Sequence, residues 1–294
     1  MTVSKDILKG FIDIHVHAGP SVAPRKVDAA GMLKLAEEAG YTAFLVKDHY
    51  FPTMMGTRMV TEHMGKSCLV FGGIALNNSV GMFNLNALDA AYNLGAKTVY
   101  FPTVSALNHI IGHSGGHFVG SGNMGVEDKG VVYVDENGVL DPDAVKVLEY
   151  IAVHPDLILC TGHGTAREVD VVITKAVELG VKKIVVNHPH FLVNATYDQM
   201  KKWSEMGAYI ELNAAVFSSI AVSGKCGDGV IGKILEYVPV EKIVLDSDLG
   251  QMVNVSPVEG MYQFICKLVN EFGVTEEQID LMGKTTPAML LGLE

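Results

Sequence analysis

Short apolar runs rich in β-branched residues recur along the chain at a spacing of roughly 30 residues, the length of a strand–helix unit. They fall at 11–16, 42–46, 69–74, 98–101, 157–160, 183–186, 208–212 and 242–245. Their near-continuous apolarity predicts strands buried on both faces, as in a parallel sheet covered by helices. The helical patterns between them end near Gly40, Gly95, Gly180, Gly207 and Gly273, where a left-handed residue closes a helix. Thr165 with Glu168, and Thr275 with Gln278, read as capping boxes; Ser256-Pro257 reads as an N-cap followed by proline at the first helical position. Repeated strand–helix units of this kind predict a closed (β/α)8 TIM barrel spanning 1–294 as a single domain. No GxGxxG follows the first strand, which argues against an open dinucleotide-binding sheet.

One connection breaks the rhythm. After the fourth strand, residues 102–140 hold the glycine-rich stretch GHSGGHFVGSGNMG and then VVYVDENGVL, whose Asn137-Gly138 pair signals a hairpin turn. A connection this long inside a compact fold is usually functional, so a lid over the strand ends is expected. His109, His113 and His117 recur in it at a spacing of four, but Gly112, Gly115 and Gly116 argue against one continuous helix.

Composition narrows the function. The chain has 294 residues, 49% of them hydrophobic and 19% charged, with a net charge of −11. Its arginines are Arg25, Arg58 and Arg167, so the basic footprint of a nucleic-acid binder is missing. No apolar run is long enough for a membrane span, and the N-terminus lacks the apolar core of a signal peptide. The four cysteines are widely spaced, as expected of free thiols in the cytoplasm. A small-molecule substrate is therefore expected, with a homo-oligomer possible and no nucleic acid or membrane as partner.

The histidines carry the chemistry. Of the eleven, all but His63 and His154 follow a predicted strand or lie in the long connection. The C-terminal strand ends form the active-site face of such a barrel, and converging imidazoles suit a metal. In DIHVHAG, His15 and His17 sit two apart at the end of strand 1, so a strand would present them on one face. His163 ends strand 5, and His188 follows strand 6 before Pro189 turns the chain. Asp246 and Asp248 alternate at the end of strand 8. Imidazole with carboxylate suits zinc first, then manganese or iron. Lys47 and His49, two apart at the end of strand 2, can both face the mouth. Arg25 and Asn77 follow strands 1 and 3 as candidate substrate-binding residues, and Glu211 ends strand 7 as a buried acid.

HVH after strand 1, His163, His188, Ser247-Asp248 and the ending TTPAMLLGL together resemble the amidohydrolase superfamily. LVKDHYFPT, FGGIALN, GAYIE, SDLGQ and SPVEG are similar to an uncharacterised family related to it. The resemblance implies metal ligation by His15, His17, His163 and Asp248. It implies that Asp248, directly after Ser247, also shuttles the proton, and that His188 binds a second metal or orients the water. The superfamily's two-metal members carry a bridging Lys or Glu at the end of strand 4. VYFPTVS has neither, which favours one ion over two. Lys47 is then expected either to bind a substrate carboxylate or, carbamylated, to bridge two metals. His109 is expected to fill the vacant role as ligand, acid–base group or substrate contact.

The reaction so implied is hydrolysis of an amide, cyclic amide, lactone or ester by water that a divalent metal has acidified to a pKa of ~7. Non-oxidative decarboxylation is the first alternative, which a single metal also serves in that superfamily. The second is phosphoester hydrolysis, since KDHY resembles the polymerase and histidinol phosphatase family. FGGIALN lacks that family's next acidic ligand.

Overall fold

The computed structural model describes residues 3–293 except 115–117, 119, 120 and 123. His117, Gly115 and Gly116 thus lie outside the described residues. Eight parallel strands follow one another in order around the sheet. They are β1 (Ile12–Val16), β2 (Ala43–Val46), β3 (Leu69–Ala75), β4 (Ala96–Tyr100), β5 (Ile158–Cys160), β6 (Ile184–Val186), β7 (Tyr209–Asn213) and β8 (Ile243–Asp246). The ring closes at the mouth, where the His17 amide donates to the Leu249 carbonyl and the Asp248 amide to the His15 carbonyl, each at 2.8 Å. The expected (β/α)8 barrel is therefore present.

Around it run α1 (Ala29–Ala39), α2 (Met54–Met64), α3 (Leu85–Asn93), α4 (Leu107–Gly112), α5 (Pro142–Ala152), α6 (Ala166–Glu178), α7 (Tyr197–Glu205), α8 (Gly229–Tyr237) and α9 (Pro257–Phe272). The Thr165–Glu168 and Thr275–Gln278 capping boxes form, as does one at Thr196–Gln199. Ser256 precedes Pro257 at the start of α9, but its hydroxyl caps nothing. The five helix-ending glycines all have positive φ. Inside the barrel, Ile12, Ile14, Ala43, Leu45, Ile158, Val185 and Val244 pack with Leu290 and Leu291 from the C-terminal segment. That apolar plug fills one end and leaves the polar residues to the other.

The segment 131–140 of the insertion after β4 is pinned to the barrel. Val131 pairs with Ala106, and Val134 bridges to Leu140 around the expected turn at Gly138. Tyr133 is buried against Gly164 so closely that a Cβ there would meet its hydroxyl at 1.8 Å. Its amide donates to Glu168, and Arg167 donates to the carbonyls of Asp135 and Glu136. The insertion thus rests on the start of α6, beside the end of β5. All four cysteines are free thiols. No helix among the described residues is long and apolar enough to cross a membrane.

Candidate active site

A regular β1 would not deliver the histidines of DIHVHAG to the mouth. Ile12 and Ile14 face the barrel interior and Val16 the outer layer. Simple alternation would then send His15 outward with Asp13. The register slips instead: Asp13 pairs with Phe44 but Val16 with Val46, an extra residue on β1. Such a bulge re-aims the side chains beyond it. His15 and His17 both reach the mouth side, buried, with ring centroids 5.4 Å apart.

β8 brings the aspartate to them. Ser247 is fastened to β1, its amide donating to Asp13 and its hydroxyl to the His15 carbonyl. Gly250, at φ 129, lies so close to the His17 carbonyl that a Cβ would sit 1.8 Å from that oxygen. Asp248 itself takes a left-handed φ of 48, as His188 takes 24, conformations that non-glycine residues adopt at a cost and that cluster at functional sites. In this posture Asp248 Oδ1 lies 3.2 Å from His15 Nε2 and 3.0 Å from His17 Nε2. Asp246 is different: fully buried, with neither oxygen finding a partner among the described residues, beside His15 and Glu211. Burial, reinforced by the Glu211 charge, raises its pKa well above the usual carboxylate range.

Glu211 is the hub beneath. Its Oε1 accepts from His15 Nδ1 at 2.8 Å and from Asn187, and its Oε2 from the His188 amide and Asn213. Burial works against its charge, but the His15 imidazole outweighs that and holds the pKa down at about 2.

The same tethering recurs around the mouth. His49 Nδ1 is 2.9 Å from Thr103 Oγ1, and His188 Nδ1 is 3.4 Å from the Phe191 carbonyl. His163 Nδ1 is 2.8 Å from Nδ1 of His109, which α4 of the insertion presents. Each bond occupies Nδ1 and leaves Nε2 as the remaining ring nitrogen. The rings stand close: His17 and His49 at 4.9 Å, His163 and His188 at 4.8 Å, His15 and His188 at 6.3 Å. Burial pushes the pKa values of His17, His49 and His163 well below normal, helped in each case by neighbouring cations and histidines. They are therefore neutral, the form that can ligate.

His17, His49, His163, His188, Lys47 and Asp248 line one cleft, with Phe118, Phe191 and Leu192 at its apolar rim. Burial lowers the Lys47 pKa to about 8, and its Nζ stands 5.3 Å from the Tyr100 ring centroid. Arg25 lies behind Asp48, whose Oδ2 accepts from its Nη2 at 3.5 Å. Asn77, expected to meet substrate, is turned to the scaffold instead. It donates to the His49 carbonyl and Thr103 Oγ1, and accepts from the Thr103 and Ser105 amides. Its amide is spent holding the β2 and β4 loops together. Thr103, Phe118 and Lys225 went unremarked in the sequence, where no spacing links them to the histidines.

Among the described residues, His15, His17 and Asp248 form one cluster that could hold a metal, and His15, Glu211 and Asp246 another. The first fits a divalent ion. His15 Nε2 is buried without a hydrogen-bond partner and aims, with His17 Nε2, at the same carboxylate oxygen. In the second, Glu211 is already saturated and the Nδ1 of His15 is bound to it.

A family model described as a family of unknown function, DUF6282, matches residues 10–211. No curated protein matches the sequence. Several solved structures share the fold. An amidohydrolase from Pseudomonas aeruginosa superposes with a TM-score of 0.64 at 10% identity, over 98% of this chain and 97% of the other. A lactonase from Listeria monocytogenes superposes at 0.54 and 12% identity, over 98% and 96%. A 2,6-dihydroxybenzoate decarboxylase superposes at 0.54 and 10% identity, over 97% and 99%. At such identities the likeness establishes the barrel shared with amidohydrolase-superfamily structures.

Proposed function

We propose, from the premise that the chain belongs to the DUF6282 family, that it is a metal-dependent hydrolase acting on an amide, cyclic amide, lactone or ester of a small molecule. The observation that carries this reading is the convergence of His15 Nε2 and His17 Nε2 on Asp248 Oδ1 at the open end of the barrel. His15, His17 and Asp248 would hold the ion, with His163 as the fourth ligand through its Nε2. One ion, zinc first and manganese or iron next, suits a β4 end that supplies no bridging residue. When bound, the ion acidifies water and polarises a carbonyl.

The chain's own residues do the rest. Asp248 is the part-exposed carboxylate of the cleft, so it can accept a proton from the attacking water and return it to the leaving group. His49, whose Nδ1 can accept from the Thr103 hydroxyl, can donate from Nε2 to an oxyanion as it forms, whereas His188, whose Nδ1 donates to the Phe191 carbonyl, keeps a bare Nε2 that can orient the water. Glu211 fixes the tautomer of His15. The rim of Phe118, Phe191 and Leu192 excludes water once substrate has entered.

A second reading, non-oxidative decarboxylation, is favoured by the same lack of a bridging residue at β4. Purified protein should carry about one divalent ion per chain, given this ligand set. Chelation should abolish turnover across a panel of lactones, cyclic amides, esters and aromatic carboxylic acids, and zinc or manganese should restore it. Carbon dioxide release without hydrolysis would decide for the second reading. Full activity in the metal-free protein would sink both.

A further inference from the structure

We propose that the substrate carries a carboxylate and that the Lys47 ammonium binds it. This rests on the metal-site reading above and names the substrate class for it. Lys47 directly follows β2 and is 2% exposed, yet among the described residues it forms no ion pair. A buried ammonium without a counter-ion is costly and is kept where it is used.

The carboxylates around it are committed elsewhere. Asp48, its neighbour in sequence, spends Oδ1 on the Tyr50 and Phe51 amides and Oδ2 on Arg25. Glu211 is saturated by His15, Asn187, Asn213 and the His188 amide. Asp248 is the only carboxylate among the described residues lining the cleft, and it faces His15 and His17. Two lysines line that cleft, Lys47 at depth and Lys225 at the exposed rim. An ion held by His15, His17 and Asp248 takes up the charge of Asp248. Lys47 is then left facing the space the substrate enters.

A carboxylate suits this cation better than a phosphate. The guanidinium of Arg25, the group with the fork geometry that phosphates favour, stands behind Asp48. The deep cleft otherwise offers neutral imidazoles. Its apolar rim fits a carbon skeleton on the far side of the acid. The substrate class is therefore an amide, lactone or ester of a small carboxylic acid that keeps a second, free carboxylate.

The test uses zinc-loaded full-length protein and calorimetric titration with the diacids from malonate to adipate, each beside its monoamide. The monoamide keeps one carboxylate for the metal and loses the other charge. The wild type should bind at least one diacid tenfold or more tightly than its monoamide. Lys47→Met and Lys47→Gln should lose that preference while holding as much zinc as the wild type. A preference that survives in both variants overturns the proposal. So does its absence in the wild type, as a carbamylated Lys47, an anion in place of the ammonium, would give. A wild type that retains no zinc fails at the earlier step and takes the hydrolase reading down with it.

Discussion

The two walls of the mouth hold their histidines by different means. On the β1–β8 side, His15, His17 and Asp248 sit on backbone that is itself hydrogen-bonded across the barrel seam, Asp248 to His15 and His17 to Leu249. On the β5 side, His163 is fixed through a side chain of the insertion, the Nδ1 of His109 at 2.8 Å. The first wall is built from the ladder that makes the fold, so its geometry is set whenever the barrel forms. The second depends on α4 and the chain around it staying in place. A site made this way can keep its metal chemistry while the insertion tunes access and substrate.

The largest effect should come from breaking the first wall. His15→Ala combined with His17→Ala should bring metal content from about one ion per chain to nearly none, since two of the ligands are gone. Circular dichroism should show the barrel intact, because Glu211 keeps Asn187, Asn213 and the His188 amide as partners. Unchanged metal content by elemental analysis would refute the assignment of this wall.

Within that wall the two aspartates should separate. Asp248→Asn removes the proton acceptor and should lower kcat by ~10²–10⁴-fold, the usual contribution of a general acid–base group. Asp246 is fully buried, neither of its oxygens is hydrogen-bonded among the described residues, and burial, which disfavours the charged form, raises its pKa. Asparagine keeps the shape of the side chain without its charge, and Asp246→Asn should cost no more than about threefold, within the size of one net hydrogen bond. Equal losses in steady-state kinetics would mean both carboxylates serve the reaction.

The first wall was legible in the sequence and the second only in part. HxH and the strand order are local patterns that periodicity exposes, while the choice of Asp248 after Ser247 over Asp246 rests on the resemblance alone. Even there the alternation was incomplete as an argument, because the bulge between Asp13 and Val16 is what aims both rings inward. The Gly112 break after His109 was readable as the end of α4. The pairing of His109 with His163, and the turning of Asn77 toward Thr103, join residues far apart in the chain. No spacing encodes such contacts; they follow from how the insertion packs on the start of α6.

The smaller effect, and the one that decides whether the insertion belongs to the site, is at His109. Burial pushes its pKa down to about 2 and that of His163 well below normal, so both rings are neutral. Two neutral imidazoles meeting Nδ1 to Nδ1 share a single proton. When His163 donates it, the Nε2 of His163 is left bare and can ligate. His109 then does what a carboxylate or carbonyl does behind other metal-bound histidines. His109→Ala should weaken zinc affinity by ~10–100-fold, the usual cost of losing such a partner. His109→Gln, whose side-chain oxygen can accept the same proton, should recover much of it. His113 touches the mouth only at its rim, bonding the His109 carbonyl, so His113→Ala should stay within about threefold of wild type. Zinc competition titrations on the three variants read this directly, and a His109→Ala protein with wild-type affinity would reduce the insertion to a cover.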